Sequence, residues 1–236
     1  MTGKIIIFAG NYGSGKTELA IHFALEAAKH GKTLAIDLDM INTYFRLYDH
    51  RDRLRENGVE LIAPDLVDSG IEMLTIPPEI AAAFDRDYDT VIIDLGGDSG
   101  ALALGQFRPK LLQAQRQGTE ICFYNVINAC RPMADKPEKI IRLMDSIQRK
   151  ARWQVDALIN NSNMSYKTSA EDLDESFAII KSASEQSGVP VAYTCAKQEL
   201  LDSFLAGSPD PDYLGQPLAL TPRMRRDWDK ILEEGF

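Results

Sequence analysis

The chain has 236 residues, of which 44% are hydrophobic, and a formal net charge of −9 at pH 7. This length allows one or two domains with a sizeable core. The acidic balance argues against nonspecific DNA binding, which relies on Lys and Arg contacts to phosphates, so we expect no nucleic acid partner. No apolar run approaches the roughly 18 residues of a membrane helix, so we expect no membrane partner either.

The cysteines indicate the compartment. Cys122, Cys130 and Cys195 show no spacing typical of a metal site or a disulfide framework. Unpaired cysteines suit a reducing compartment, and the N-terminal apolar run is too short for a signal peptide. We therefore expect a cytoplasmic protein.

A glycine-rich stretch at residues 10–17 is the most specific motif in the chain. Its sequence, GNYGSGKT, fits the phosphate-binding pattern G-x-x-x-x-G-K-[ST] and joins an apolar run at 5–9 to a helical pattern at 18–30. Glycines let successive backbone N–H groups turn inward around an anion, and a helix N-terminus adds partial positive charge. The residues predicted to bind a nucleotide are Gly10, Asn11, Tyr12, Gly13, Ser14, Gly15, Lys16, Thr17 and Glu18.

Two side chains of this stretch have specific expected roles. Lys16 should reach the β- and γ-phosphates, which makes it a catalytic residue as well as a binding residue. The Thr17 hydroxyl should be a ligand of Mg²⁺. The motif therefore predicts a nucleoside triphosphate bound together with Mg²⁺.

Short apolar runs alternate with helical patterns along the rest of the chain. Strands are predicted at 5–9, 33–39, 59–63, 90–94, 120–127, 154–159 and 189–193. Helices are predicted at 18–30, 43–56, 79–84, 101–117 (interrupted near Pro109), 136–150 and 170–186. Loops are expected at 64–78 and 95–100, and a short helical tail from about residue 198.

This alternation predicts an α/β fold, a three-layer αβα sandwich with a mostly parallel sheet, in a single domain over residues 1–236. Ligands of such sheets bind beyond the carboxyl ends of the strands. The loops that follow the predicted strands should therefore gather at one rim, around the glycine-rich stretch.

Two predicted strands end in carboxylates at this rim. The strand ending in Asp94 is followed by Gly96 and Gly97, a pattern typical of an acid that helps to hold Mg²⁺ through water. Asp37 and Asp39 close an earlier strand, and either could instead cap the next segment. We assign Asp39, nearer the rim, to the attacking water and the metal site, and Asp37 to a structural hydrogen bond.

In this order, the glycine-rich stretch, Asp37-Leu38-Asp39 and Asp94-Leu95-Gly96-Gly97 resemble the MinD/ParA/CobQ class of P-loop proteins over about residues 3–195. The class includes partition and division-site ATPases, nitrogenase iron protein and some ligases. The resemblance implies the P-loop NTPase fold and Mg²⁺-dependent ATP hydrolysis. It also implies the hydrolytic role for Asp39, with Thr17 and Asp94 beside the metal.

One position departs from that class. Its MinD and ParA members have a second lysine directly after the first glycine of the loop, which reaches the nucleotide of a dimer partner, whereas this chain has Asn11. We therefore expect any homodimer to be independent of that lysine. Arg46 and Arg131 follow predicted strands and could replace the charge, but solvation at the surface is the expected role of both.

The residues after the sixth predicted strand indicate the base. GTPases of related fold read guanine with N-K-x-D, and the corresponding residues here are Asn160, Asn161, Ser162 and Asn163. The asparagine at the last position removes the carboxylate that guanine binds, whereas an amide can both donate and accept, which suits adenine. We therefore predict ATP as the cofactor rather than GTP, with Asn160 and Asn161 at the nucleotide.

The resemblance and the two motif loops favour a slow Mg²⁺-dependent ATPase that acts as a switch or loader for a protein partner, with ATP and ADP as its ligands. An ATP-dependent small-molecule ligase or kinase is the alternative, because members similar to dethiobiotin synthetase also lack the second lysine. A third hypothesis is a nucleotide-binding regulatory subunit with negligible hydrolysis.

Overall fold

The structure is a computed structural model that describes residues 3–39, 46–63, 78–84 and 86–221. Eight strands are present in these ranges: β1 (Lys4–Gly10), β2 (Thr33–Leu38), β3 (Val59–Ile62), β4 (Thr90–Leu95), β5 (Glu120–Ile127), β6 (Ala157–Asn160), β7 (Val191–Ala196) and β8 (Gln216–Ala219). They form one sheet in the order β3-β2-β4-β1-β5-β6-β7-β8. Every neighbouring pair is parallel.

Helices connect the strands. The described residues contain α1 (Lys16–Ala28), α2 (Arg51–Glu56), α3 (Pro78–Ala83), α4 (Gly97–Gln106), α5 (Arg108–Arg116), α6 (Pro137–Ala151), α7 (Ala170–Ser187), α8 (Gln198–Ala206) and α9 (Pro211–Leu214). Short 3-10 turns lie at Leu47–His50 and Ser165–Lys167. Within the described ranges, none of the helices has the length and apolar character needed to cross a membrane.

Helices cover both faces of the sheet, as the side chains of β1 show. Ile5 and Ile7 pack in one hydrophobic core with buried residues of α3 to α7. Ile6 and Phe8 pack in a second hydrophobic core with buried residues of α1 and α2. Because both faces are buried, the strand reads as a continuous apolar run. The predicted three-layer αβα sandwich with a parallel sheet is therefore confirmed.

The stretch after β4 differs from the prediction of a loop. The helix α4 begins at Gly97, and the Gly100 N–H donates to the Gly96 carbonyl oxygen at 2.9 Å. A Cβ at Gly100 would lie 3.0 Å from the Leu38 carbonyl oxygen, so a small residue lets the helix start against the end of β2. The loop prediction was wrong because this packing outweighs the low helix propensity of glycine.

The other helices follow the predictions with small shifts. The interruption predicted near Pro109 is confirmed, since α4 ends one residue before Phe107 and α5 begins one residue after it. The predicted helix at 43–56 is a 3-10 turn followed by α2 over its described part. Its first three residues, and most of the predicted loop at 64–78, lie outside the described residues.

The chain after β7 contains a strand that the sequence did not predict. The helices α8 and α9 lead into β8, which pairs in parallel with β7 at the edge of the sheet. The Leu220 N–H then donates to the Ala196 carbonyl oxygen at 2.8 Å. Pro217 lacks an N–H, and an edge strand is the place in a sheet that tolerates it. The tail is therefore helical only in part.

Candidate functional site

The stretch at residues 10–17, which we call the glycine loop, leads from β1 directly into α1. Gly15 precedes the helix with a left-handed backbone (φ 84°), and a Cβ there would overlap the Asn161 side chain. Glycine is required on both counts. Because Gly15 offers no side-chain cap, the first N–H groups of α1 remain available to an external anion.

The Lys16 side chain is folded into the glycine loop and is only 8% exposed. Its ammonium donates to the Asn11 carbonyl oxygen at 3.1 Å. Burial lowers the pKa of Lys16, and the nearby carboxylates of Asp94 and Asp39 oppose that shift. The predicted phosphate-binding cation and the two predicted acids are therefore close enough to interact.

Asp94 lies beside Thr17, as the predicted metal site requires. It is 2% exposed at the end of β4 and forms a hydrogen bond with the Thr17 side chain. Burial raises the pKa of Asp94 to about 6, against the opposing effects of the Lys16 ammonium and the Thr17 hydrogen bond. Its Oδ1 atom is buried without a hydrogen-bond partner among the described residues, so this carboxylate still has the capacity to accept.

Asp39 directly follows β2 and packs against Gly96, the residue between β4 and α4. A Cβ added to Gly96 would overlap both the carboxylate and the backbone of Asp39. The third predicted acid is therefore at the same rim as Asp94, and glycine at position 96 is what permits the approach.

Asp37 is fully buried and forms a hydrogen bond with the backbone of Asp39. Its Oδ1 atom accepts the Asp39 N–H at 2.9 Å, and its neighbour across the β2–β4 ladder is Asp94. Burial first, and the Asp94 carboxylate second, raise the pKa of Asp37 to about 7. These contacts give Asp37 the structural hydrogen bond that the sequence assigned to it.

The expectation that Arg46 is solvated at the surface was wrong. This residue is only 6% exposed, and its Nε atom lies 4.0 Å from Asp37 Oδ2. A cation is favoured here because Asp37 and Asp94 are two buried carboxylates on neighbouring strands. Arg131, in contrast, is exposed and lies over Gly13, where an added Cβ would be 3.4 Å from its Nε atom.

Two further residues predicted to bind the nucleotide, Tyr12 and Glu18, lie in the glycine loop and in the first turn of α1. Tyr12 is 70% exposed, and its N–H donates to Asn11 Oδ1 at 2.8 Å. Glu18 is half-buried in the first turn of α1.

The asparagines at the end of β6 and directly after it form hydrogen bonds within this region, and Asn161 also bonds the glycine loop. Asn161 Nδ2 donates to the Ser14 carbonyl oxygen at 2.8 Å, and Asn160 Oδ1 accepts the Ser162 N–H at 3.2 Å. The Asn163 side chain is used within its own loop: Nδ2 donates to the Asn161 carbonyl oxygen, and Oδ1 accepts from a backbone N–H. The Asn161 amide is thus bound to the loop that was predicted to hold phosphate.

Two further asparagines, Asn125 and Asn128, were missed by the sequence analysis. Asn128, just after β5, also bonds the glycine loop, through its Nδ2 atom and the Gly13 carbonyl oxygen. Asn125, in β5, is 1% exposed, and in the described part of the chain neither polar atom of its amide has a hydrogen-bond partner. It lines a small crevice with Asn11 and Ser14, whose hydroxyl is also unpartnered. A polar residue inside an apolar strand was the only available sequence signal.

The unpartnered Asn125 amide leads to a prediction about stability. Asn125→Leu should raise the free energy of unfolding by about 1–3 kcal/mol, because it removes an unsatisfied buried amide. That corresponds to a rise of roughly 2–12 °C in the thermal midpoint. Asn125→Asp is the matched control and should lower the midpoint. A lower midpoint for the leucine variant would show that the amide has a partner in solution.

Comparisons with known proteins bear on the fold. The profile of the Zeta toxin family matches residues 2–67, less than half of the chain. A search of curated proteins finds no match. Similar solved structures include FtsY from Mycoplasma mycoides, with a TM-score of 0.54 and 18% identity over 84% of this chain and 62% of that one. Another is cell division protein FtsY from Thermotoga maritima (TM-score 0.55, 16% identity, 84% and 63%). A third is the signal recognition particle receptor FtsY from Elizabethkingia anophelis in complex with GDP (TM-score 0.52, 16% identity, 85% and 58%).

These structures and the parallel sheet define the class of protein. The chain has the P-loop NTPase fold, which binds nucleotides at the loop between its first strand and first helix. The chain spans less than two thirds of the length of the FtsY proteins that it matches. At 16–18% identity the likeness concerns the fold alone.

Proposed function

We propose that the protein binds Mg²⁺-ATP and hydrolyses it slowly, as a switch or loader for a protein partner and as a member of the MinD/ParA/CobQ class. The observation that carries the proposal is the meeting of the Lys16 ammonium, the Thr17–Asp94 hydrogen bond and the Asp39 carboxylate at the start of α1. The proposed nucleotide site is formed by the glycine loop with these acids.

The residues present fit a bound Mg²⁺ ion. The Thr17 hydroxyl would be a direct ligand, and Asp94, whose Oδ1 atom is unpartnered, would bind through water. In the described ranges no three His, Cys, Asp or Glu side chains converge on one point. This suits Mg²⁺, which keeps several waters and takes other ligands from phosphates. When bound, the ion would neutralise phosphate charge.

Asp39 is the proposed base or orienting residue for the attacking water. Its backbone N–H is held by the Asp37 carboxylate, which fixes where β2 ends. A hydrogen bond that holds a catalytic residue in place lowers the free-energy cost of reaching the reactive geometry. Asp37 would therefore act as a positioning residue for Asp39.

The contact between Asp39 and Gly96 supports a switch. Because a Cβ at position 96 would overlap Asp39, the segments at 38–39 and 95–96 lie in direct contact. Both segments would adjoin the terminal phosphate, and its loss on hydrolysis would displace them together. A partner protein that contacts either segment would thereby sense the nucleotide.

The proposed choice of ATP rests on Asn160 and Asn161, and on Asn163 in place of an aspartate. The Elizabethkingia anophelis FtsY structure is a complex with GDP, so a guanine nucleotide is the competitor to test. Purified protein should release phosphate from Mg²⁺-ATP slowly, should release less from Mg²⁺-GTP, and should lose turnover in EDTA. Equal or faster turnover of GTP would overturn the assignment of the base.

The crevice beside the glycine loop favours a second candidate function, that of a small-molecule ligase or kinase. Asn11 is uncharged, and the crevice that it lines contains the unpartnered Asn125 amide. Such a group could bind the polar end of an acceptor molecule. The two functions differ in what stimulates phosphate release. A switch or loader should be stimulated by its protein partner, whereas a ligase or kinase should be stimulated by a small metabolite in the absence of any partner.

Asn11 leads to a prediction about association. At an effective dielectric near 20, a unit charge about 4 Å from phosphate contributes roughly 4 kcal/mol of gross attraction, which this chain lacks at position 11. We therefore expect sedimentation of an Asp39→Ala variant, in which ATP should persist, to give the same oligomeric state with and without Mg²⁺-ATP. A shift from monomer to dimer would contradict this, and would make the exposed Arg131 the candidate replacement charge.

A further inference from the structure

The Asn128 side chain joins two loops, at Gly13 and at Asn163, that lie 115 and 35 residues from it in the chain. It lies just after β5, is 1% exposed, and donates through Nδ2 to the carbonyl oxygens of Gly13 (3.2 Å) and Asn163 (2.9 Å). Its Oδ1 atom accepts the N–H groups of Cys130 and Asn163, each at 3.1 Å. One amide thus makes all four of the hydrogen bonds available to it.

Two neighbouring contacts reinforce this junction. Asn161 donates to the Ser14 carbonyl oxygen, next along the glycine loop from the carbonyl that Asn128 holds. The Ser162 hydroxyl accepts the Ala129 N–H at 2.9 Å and ties the loop after β6 to the loop after β5. Residues 160–163, which we call the asparagine loop, are therefore connected to the glycine loop both directly and through Asn128.

These contacts also set the direction of a backbone donor. In a trans peptide the carbonyl and the following N–H point in opposite directions. Because Asn161 holds the Ser14 carbonyl, the Gly15 N–H is turned away from the asparagine loop. Donors oriented in this way before a ligand arrives reduce the ordering cost of binding.

From these contacts, we infer that Asn128 is a positioning residue that couples the asparagine loop to the glycine loop, so that a ligand touching both binds more tightly than one touching the glycine loop alone. The inference rests on the proposed function, because it takes the base to lie against the asparagine loop. It concerns a residue outside the motif and outside the predicted site.

The test compares Asn128→Asp with the wild type. The aspartate keeps an oxygen for the Cys130 and Asn163 N–H groups, so the turn after β5 is retained, but it cannot donate to the Gly13 or Asn163 carbonyl oxygens. Asn57→Asp is the matched control, since it removes a donor to the Arg53 carbonyl at the end of α2. The ligands are Mg²⁺-ATP and Mg²⁺-tripolyphosphate, measured by calorimetry.

Each neutral hydrogen bond lost corresponds to a factor of about two to ten in affinity. Loss of the Gly13 contact should weaken both ligands, whereas loss of the Asn163 contact should weaken only ATP. The ratio of ATP affinity to tripolyphosphate affinity should therefore fall about two- to tenfold in Asn128→Asp and stay unchanged in Asn57→Asp. An equal loss for both ligands, or no loss, would overturn the coupling.

A second variant keeps the test decisive if Asn128→Asp does not fold. Ser162→Ala removes the acceptor of the Ala129 N–H without touching the glycine loop. It should weaken ATP about two- to tenfold and leave tripolyphosphate unchanged. Wild-type protein that binds neither ligand would overturn the proposed function and the coupling together. If the wild type prefers ATP and neither variant changes the ratio of ATP affinity to tripolyphosphate affinity, the coupling is overturned and the proposed function is not.

Discussion

Replacing Lys16 with alanine is expected to weaken Mg²⁺-ATP binding by about ten- to a hundredfold. A charge-assisted hydrogen bond contributes about 1.5–3 kcal/mol, and this ammonium already lies inside the glycine loop on the Asn11 carbonyl oxygen. Its loss also removes the cation that opposes the rise in the pKa of Asp94. Both effects disfavour a bound triphosphate with its metal.

The matched control for this variant is Lys29→Ala, at the other end of α1. That lysine is exposed and forms an ion pair with Glu26 of the last turn of α1. Calorimetric titration of Mg²⁺-ATP should give the wild-type dissociation constant for Lys29→Ala and a much weaker one for Lys16→Ala. Thermal unfolding of both variants should confirm that they are folded. Equal dissociation constants would remove Lys16 from the site.

Replacing Asp39 with alanine is expected to reduce ATP turnover by about a hundred- to ten-thousandfold while leaving ATP affinity within about threefold of the wild type. General base catalysis and water orientation contribute rate factors of that order, and this carboxylate is assigned to the water rather than to the phosphates. The measurement pairs phosphate release under saturating ATP with a binding titration, so that a lower rate cannot be mistaken for weaker binding.

Asp52→Ala provides the corresponding control, because this carboxylate is exposed in the first turn of α2, beside Arg51. Its turnover should equal that of the wild type. If turnover survives in Asp39→Ala while affinity falls, Asp39 acts at the metal site or the phosphates and not on the attacking water. The water would then need another base, and the buried Asp37 would be the next residue to replace.

The sheet and most of its elements could be predicted because their signals are local. The apolar run of β1, the glycine loop and the helical spacing of α1 stand next to one another in the chain, and Asp94 follows an apolar run of its own. Parallel strands place their carboxyl ends at one edge, so the meeting of Thr17 and Asp94 followed from the fold class.

Other features could not be predicted because tertiary contacts decide them. Arg46 lies in a highly charged segment that the sequence predicts to be at the surface, yet it is buried with its Nε atom 4.0 Å from the buried Asp37 carboxylate. The short strand β8 contains Pro217 and has too few residues for a periodic pattern. Packing at an existing sheet edge is what makes it a strand.

Asn128 illustrates the limit most clearly. Its bond to the Gly13 carbonyl oxygen spans 115 residues, and no spacing rule connects an asparagine after one strand to a loop after another. Asn161 was identified from its likeness to a base-reading motif, whereas the structure shows its amide bonded to the glycine loop. The sequence singled out this loop but did not predict its hydrogen bond to the glycine loop.

The most direct test of the proposed function is calorimetric titration of the wild-type protein with Mg²⁺-ATP and, separately, Mg²⁺-GTP. We expect saturable binding of one ATP per chain, with weaker binding of GTP because Asn163 replaces the aspartate that reads guanine. Absence of saturable ATP binding at concentrations up to the millimolar range, or tighter binding of GTP than of ATP, would contradict the proposal.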